Sequence, residues 1–214
     1  AEMIAAHDEP AIHLGIYKDV FSLPAAMAYN TEVEKTFLLD TFDIRTITDD
    51  VVGCGVDLTP LREGAAAEPE EAGDHDIGPE PLPAHLRQRG AFFRRRHRID
   101  GTFALYGGRI DPGKGCEELF EYFSTYVSQG GDATLFLMGA KLMPIPEEPW
   151  VRFGGILTDQ ERLQALEAAT VVIVPSPLES LSLLALEAFA VGTPVLANAR
   201  SEVVAEHCKA SNAG

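Results

Sequence analysis

A doubly wound parallel α/β sheet is the fold the sequence predicts, and three features carry that reading. From Thr102 onward, short apolar runs of strand type alternate with amphipathic stretches of helical period. The β-branched run Val171-Val-Ile-Val174 ends in a Pro-Ser-Pro turn, and a buried helical stretch follows that Gly192 and Pro194 close before the strand Val195–Ala197. Such alternation builds a parallel sheet with helices on its faces. The chain has 214 residues, 46% of them hydrophobic, enough for one large or two small domains with a sizeable core.

In chain order, His13 to Phe21 predicts a short helix and Ala25–Tyr29 a strand. Asn30 or Thr31 caps a helix that runs to about Phe42, with Val33, Phe37 and Leu38 on one side and Glu32 and Glu34 at its positive end. Asp49-Asp50 reads as a solvated turn rather than a metal-binding pair, and Val51-Val52 leads into Gly53-Cys-Gly-Val-Asp57. Residues 62–82 set Glu63, Glu68, Glu70, Glu71, Asp74, Asp76 and Glu80 among Gly, Ala and Pro, and so predict a flexible acidic linker. Residues 84–98 turn basic, with Arg87, Arg89, Arg94, Arg95, Arg96 and Arg98. A patch for anionic lipid, anchored by Phe92 and Phe93, is one reading. A solvated helix face that balances the acidic stretch is the favoured one.

Beyond Thr102 the sequence predicts the strand Phe103–Tyr106, the loop Gly107–Gly115, and the helix Glu117–Ser128 with Leu119, Phe120, Phe123 and Val127 inward. The strands Thr134–Met138 and Val151–Phe153 follow, then a helix opened by a Thr158/Glu161 capping box and carrying Leu163, Leu166 and Ala169. After the strand Val171–Val174, Leu183, Leu184, Leu186, Ala188 and Phe189 mark the buried helix. A last helix spans about Ser201 to Cys208.

Two carboxylates inside the 171–197 unit are poorly explained by folding, because a carboxylate in an apolar segment is costly unless paired or hydrogen-bonded. Glu179 falls at the strand-to-helix turn, and Glu187 comes eight residues later, about two turns into the helix. The helix dipole explains Glu179 taken alone. The pair lies at the mouth of a parallel sheet, where ligands bind. In the loop Gly107–Gly115 the glycines let backbone approach a bulky anion, and Arg109 and Lys114 suit a diphosphate at the start of the next helix. A tight turn with two exposed bases is an equal reading of that loop alone. No Gly-Lys-Ser/Thr occurs, so it is not a Walker loop.

Other chemistries fit less well. The net charge of −16 argues against a nucleic-acid surface. Cys54, Cys116 and Cys208 are scattered and odd in number, which fits reduced thiols rather than a metal site. His7, His97 and His207 lack ligand spacing, and Ser176 and Ser180 lack a Gly-x-Ser-x-Gly context. No uncharged run of about eighteen apolar residues occurs. With an acidic start that does not suggest a signal peptide, a cytoplasmic protein is expected, peripheral contact with the inner face of a membrane being left open.

The run from Pro175 to Pro194 resembles the E-x7-E motif of retaining GT-B glycosyltransferases of the family 4 type, the glycosyl transferases group 1. The match includes Pro-Ser before Glu179, Ala-Leu-Glu-Ala around Glu187, and Gly-Thr-Pro-Val after it. Ser182 departs from the pattern, since the family commonly has Gly there. Gly108-Arg109 to Lys114-Gly115 matches the family's G-R-x-x-x-x-K-G, and Gly53–Asp57 resembles the segment that closes its N-terminal domain.

The resemblance implies a Rossmann-like donor-binding domain plus the remnant of a second one. Residues 1–60 would end the N-terminal, acceptor-side domain, 61–90 would be the linker or an insertion, and 91–214 a C-terminal nucleotide-sugar-binding domain truncated at its end. The chain is then expected to be an internal fragment that transfers no sugar by itself. The resemblance also implies roles. Arg109 and Lys114, with Gly108, would bind the donor diphosphate, and amides of Ser182, Leu183 and Leu184 would face phosphate or sugar. Glu187 would accept from the ribose hydroxyls. Glu179, the implied catalytic residue, would bond the sugar ring. Backbone at Leu157, in the turn Phe153–Leu157, would hold the base. The implied reaction moves a hexosyl unit from a nucleoside-diphosphate sugar to a hydroxyl of a saccharide, lipid or small molecule, with retention and without cofactor or metal. A nucleotide-sugar-binding module without transfer activity and a GT-B nucleotide-sugar 2-epimerase are the alternatives.

Overall fold

The computed structural model describes residues 10–42, 44, 48–57, 59 and 84–214. Its first elements are α1 (Pro10–Ser22), β1 (Ala26–Tyr29), α2 (Glu32–Thr41) and β2 (Thr48–Val51). β1 and β2 pair in parallel, Ala26 opposite Thr48 and Tyr29 opposite Val51. Of the two candidate caps, Thr31 closes the α2 N-terminus, its Oγ1 accepting from the Glu34 amide at 3.0 Å. Phe42 is extended rather than helical and is buried with Tyr29 and Leu38. Asp49 and Asp50, expected in a turn, lie in β2 instead. Both residues count as exposed there, and the partly covered Asp49 carboxylate, 30% exposed, meets Lys35 at 2.5 Å, which offsets its desolvation. Apolar Val20, Leu23 and Val52 remain exposed on this part of the chain. The acidic residues 62–82 lie outside the described residues.

α3 (Ala84–His97) begins inside the stretch assigned to the linker. It packs along α5 (Asp159–Ala168) closely enough that a Cβ on Gly90 would meet the Ala168 backbone at 3.3 Å. Phe93, considered above as a lipid anchor, is core: its ring meets Phe103 and Phe136 at centroid distances of 6.3 and 5.2 Å. Nor is the basic face simply solvated. Arg94 turns inward, donating to the carbonyls of Gly101 and Ala168, and lies 4.8 Å over the Phe103 ring. Arg96 pairs with Glu161 at 2.5 Å.

The remaining elements are β3 (Phe103–Gly107), a 3₁₀ turn Pro112–Lys114, α4 (Cys116–Ser128), β4 (Thr134–Met138), β5 (Val151–Gly155), β6 (Val171–Val174), α6 (Leu183–Ala190), β7 (Val195–Ala197) and α7 (Glu202–Ser211). The five strands β3 to β7 form one parallel sheet in the order β5-β4-β3-β6-β7. Side chains alternate across it. Phe103, Leu105, Phe136, Val172 and Val174 join the core cluster to which α3, α5, α6 and α7 contribute, while Ala104, Tyr106, Leu135, Leu137 and Ile173 pack with α4. Thr158 and Glu161 form the expected capping box.

Two expectations shift. β5 runs on to Gly155, whose carbonyl accepts from Gly139 at 2.7 Å, so the turn expected from Phe153 starts at Ile156. α6 buries Ala185 and Ala188 rather than Leu183, which is 51% exposed. The small alanines are the side chains that let the helix lie close to the sheet. α6 also starts late enough that Glu187 lies one turn into it rather than two.

Between β3 and β6 the winding reverses: β4 and β5 extend one way from β3, and β6 and β7 the other. Connections leave the two strand ends in opposite directions, which opens a crevice beyond their carboxyl ends. Among the described residues no helix is long and apolar enough to cross a membrane.

The edge of this crevice makes a stability prediction. At Gly139 (φ 126°) an added Cβ would fall 1.9 Å from the Gly108 carbonyl oxygen. Gly139→Ala should therefore destabilise by roughly 2–4 kcal/mol, from backbone strain plus a clash with main chain. Gly130→Ala, also at positive φ but with open space around it, should cost only about 1 kcal/mol. Urea unfolding measures both, and equal losses would contradict the clash.

Candidate active site

The chain leaves β3 at Gly107 and is tied down on both sides. The amide of Gly108 donates to Met138 O at 3.0 Å, and that of Ile110 to Ala140 O at 2.8 Å. The buried Tyr106 hydroxyl donates to Arg109 O at 2.5 Å. Burial pushes that hydroxyl's pKa far above its ordinary value, so it stays a donor. Asp111 caps the 3₁₀ turn, its Oδ1 accepting from the Lys114 amide at 3.1 Å. Gly115 then backs onto the other loop, where a Cβ would lie 2.6 Å from Pro175 O. Only glycine permits that approach, and its φ of 73° adds to the requirement.

The loop after β6 is equally fixed. Ser176 is buried and donates to Leu178 O at 2.8 Å, while Asn198 Nδ2 donates to Pro175 O at 2.9 Å. Ser182 enters α6 in the left-handed region, φ 62°. A side chain there costs roughly 1–2 kcal/mol, which gives the physical reason that glycine suits this position. The first amides of α6 have no intrahelical acceptor.

Between the loops lies a cavity of about 530 Å³ lined by Gly108, Arg109, Lys114, Leu157, Glu179, Ser182, Leu183, Leu184 and Glu187. These are all the residues singled out from the sequence. Lys114 Nζ meets Glu179 Oε1 at 3.1 Å, with both side chains mostly buried, 19% and 15% exposed. Arg109 reaches outward, 64% exposed, with its Nε 3.4 Å from Asp111 Oδ2. Glu187, 12% exposed, is paired with Arg162.

Sequence reasoning missed Arg162, Asp159 and Tyr106, which also line the cavity. The first turn of α5 was legible as a capping box, and nothing in its spacing pointed to α6. Burial alone would lower the Arg162 pKa, but the Glu187 and Asp159 carboxylates outweigh it and hold it above its ordinary value. Cations and carboxylates therefore converge, in pairs, on one cleft that offers donors to an anion and acceptors to hydroxyls. Cys54, Cys116 and Cys208 are free thiols, Cys116 and Cys208 buried. Among the described residues no group of three or more His, Cys, Asp or Glu is arranged to hold a metal ion.

Known proteins share this architecture. The family described as Glycosyl transferases group 1 matches residues 102–213. A curated D-inositol 3-phosphate glycosyltransferase from Frankia alni is 30% identical over 209 residues, 89% of this chain and 46% of that protein. Its namesake from Acidothermus cellulolyticus is 32% identical over 197 residues, 84% of this chain and 39% of that one. The chain thus spans less than half the length of either. Among solved structures, WaaG, a glycosyltransferase involved in lipopolysaccharide biosynthesis, superposes with a TM-score of 0.66 at 15% identity, covering 98% of this chain and 54% of that one. Sucrose-phosphate synthase from Thermosynechococcus elongatus does so with 0.61 at 23% identity, covering 95% and 47%. With its family match over the whole five-stranded sheet and its GT-B structural neighbours, the chain belongs to the glycosyl transferases group 1.

Proposed function

We propose that this chain supplies the donor-binding part of a retaining glycosyltransferase that moves a hexosyl unit from a nucleoside-diphosphate sugar to an acceptor hydroxyl. The observation that supports this best is the convergence of Arg109, Lys114, Glu179 and Glu187 on one crevice at the reversal point of the sheet. In this reading Arg109 and Lys114 bind the diphosphate, with the Gly108 backbone and the amides of Ser182, Leu183 and Leu184 close to phosphate or sugar. Glu187 accepts from the ribose hydroxyls, and backbone at Leu157 meets the base. Glu179 accepts from the sugar hydroxyls and so orients the anomeric carbon.

Breaking the bond from the anomeric carbon to the diphosphate places growing negative charge on the leaving group. Cations and amides fixed beforehand at that point lower the barrier. They do so without cofactor or metal in this proposal. The curated relatives are named for D-inositol 3-phosphate, which makes that compound the first acceptor to assay.

Calorimetric titration with UDP, GDP and ADP tests the diphosphate site. Arg109→Ala and Lys114→Ala should each remove a charge-assisted contact worth roughly 1.5–3 kcal/mol, weakening nucleotide affinity about ten- to a hundredfold. Parental affinity in both variants would refute the assignment.

The two glutamates should part in the same experiment. Glu187→Gln should weaken nucleoside diphosphate binding. Glu179→Gln should leave it nearly unchanged, because Glu179 is read as a sugar contact, yet lower sugar transfer in the full-length enzyme. Equal losses of affinity would contradict this division of roles. A Glu179→Gln enzyme with undiminished transfer would contradict the role of Glu179, and a full-length parent that binds nucleotide sugar without turning it over would favour a module that binds the donor for another catalyst.

A further inference from the structure

The crevice contains a cation that no motif supplied. Arg162 stands in the first turn of α5 beside the capping-box Glu161, 32% exposed. Its guanidinium forks: Nη2 donates to Asp159 Oδ1 at 3.2 Å, and Nη1 pairs with Oε2 of Glu187 on α6. Glu187 is largely buried, and a carboxylate so placed is costly without a partner, which Arg162 supplies. Pairing through Oε2 leaves Oε1, and further lone pairs on Oε2, open to other donors.

We propose that Arg162 is a positioning residue for the nucleoside end of the donor. It holds the Glu187 carboxylate in one orientation, so that two neighbouring ribose hydroxyls both donate to it. This rests on the reading of Glu187 as the ribose ligand. A vicinal diol presents two donors at a fixed separation, and a glutamate free to rotate about its side-chain bonds would lose most of that match. Arg supplies the restraint because its fork is planar and permanently charged, with the second arm on the exposed carboxylate of Asp159. The same fork joins the start of α5, which follows directly on the Ile156–Leu157 turn, to α6. The residues meeting base and ribose are thereby held as one unit.

The test compares three probes by calorimetry: whichever of UDP, GDP or ADP binds most tightly, its 2′,3′-dideoxy counterpart, and inorganic pyrophosphate. The parent should prefer the ribonucleotide over the dideoxynucleotide. Arg162→Met should weaken the ribonucleotide about tenfold, a change of about 1.4 kcal/mol. It should leave the dideoxynucleotide and pyrophosphate affinities at parental values, which general damage to the site would not do. In a Glu187→Gln background the same substitution should have no further effect. Arg162→Lys should give the same ranking of probes with a smaller loss, and it stands in should Arg162→Met not fold. Parental ribonucleotide affinity in the Met and Lys variants, or equal losses for all three probes, would overturn the inference. A parent that binds ribonucleotide and dideoxynucleotide equally would instead overturn the ribose reading of Glu187.

Discussion

The site depends on one close approach of main chain to main chain. Gly115, ending the loop after β3, lies against Pro175, the first residue after β6, where a single methyl group would come within 2.6 Å of the Pro175 oxygen. Those two loops carry Arg109 and Lys114 on one side and Glu179 and Ser182 on the other. Their contact fixes the separation of cations from carboxylates more firmly than the charges could. The bonds behind them, from Tyr106 of β3 to Arg109 O and from Asn198, just past β7, to Pro175 O, hold both loops in place. Main-chain contacts thus restrain both loops without help from a ligand, and such restraint reduces the ordering that binding requires.

Within that frame the charges close on each other. Lys114 pairs with Glu179, Arg162 with Glu187 and Arg109 with Asp111. The partly buried groups are thereby kept from standing uncompensated in a low dielectric. Arg109 is the most exposed of the three cations. Lys114, held deeper, would have to exchange a carboxylate partner for a phosphate.

Much of the fold was legible where local chemistry and tertiary structure agree. β4, β6 and β7 begin and end at the expected residues because each is a short apolar run with turn-forming flanks. The Thr158/Glu161 box is local by nature and formed as read. The inward face of α6 was legible in part: Leu184, Ala188 and Phe189 pack on the core as expected, whereas Leu183 turns outward and the small Ala185, which lets the helix approach the sheet, carried no signal of bulk. Asp49 and Asp50 looked like a turn because strand propensity ignores whether an edge leaves side chains in water. At the site, every residue chosen from the loops and the two-glutamate motif lines the same cavity. Arg162 escaped because its partner lies on another helix, and no spacing within α5 encodes that meeting.

The most direct test of the central claim is a crystal structure of the protein with a bound nucleoside diphosphate. The diphosphate should lie within hydrogen-bond distance of Arg109 and Lys114, with the Lys114 ammonium drawn from Glu179 and the ribose hydroxyls on Glu187. A nucleotide bound outside the crevice between β3 and β6, or an empty crevice at saturating nucleotide, would contradict it.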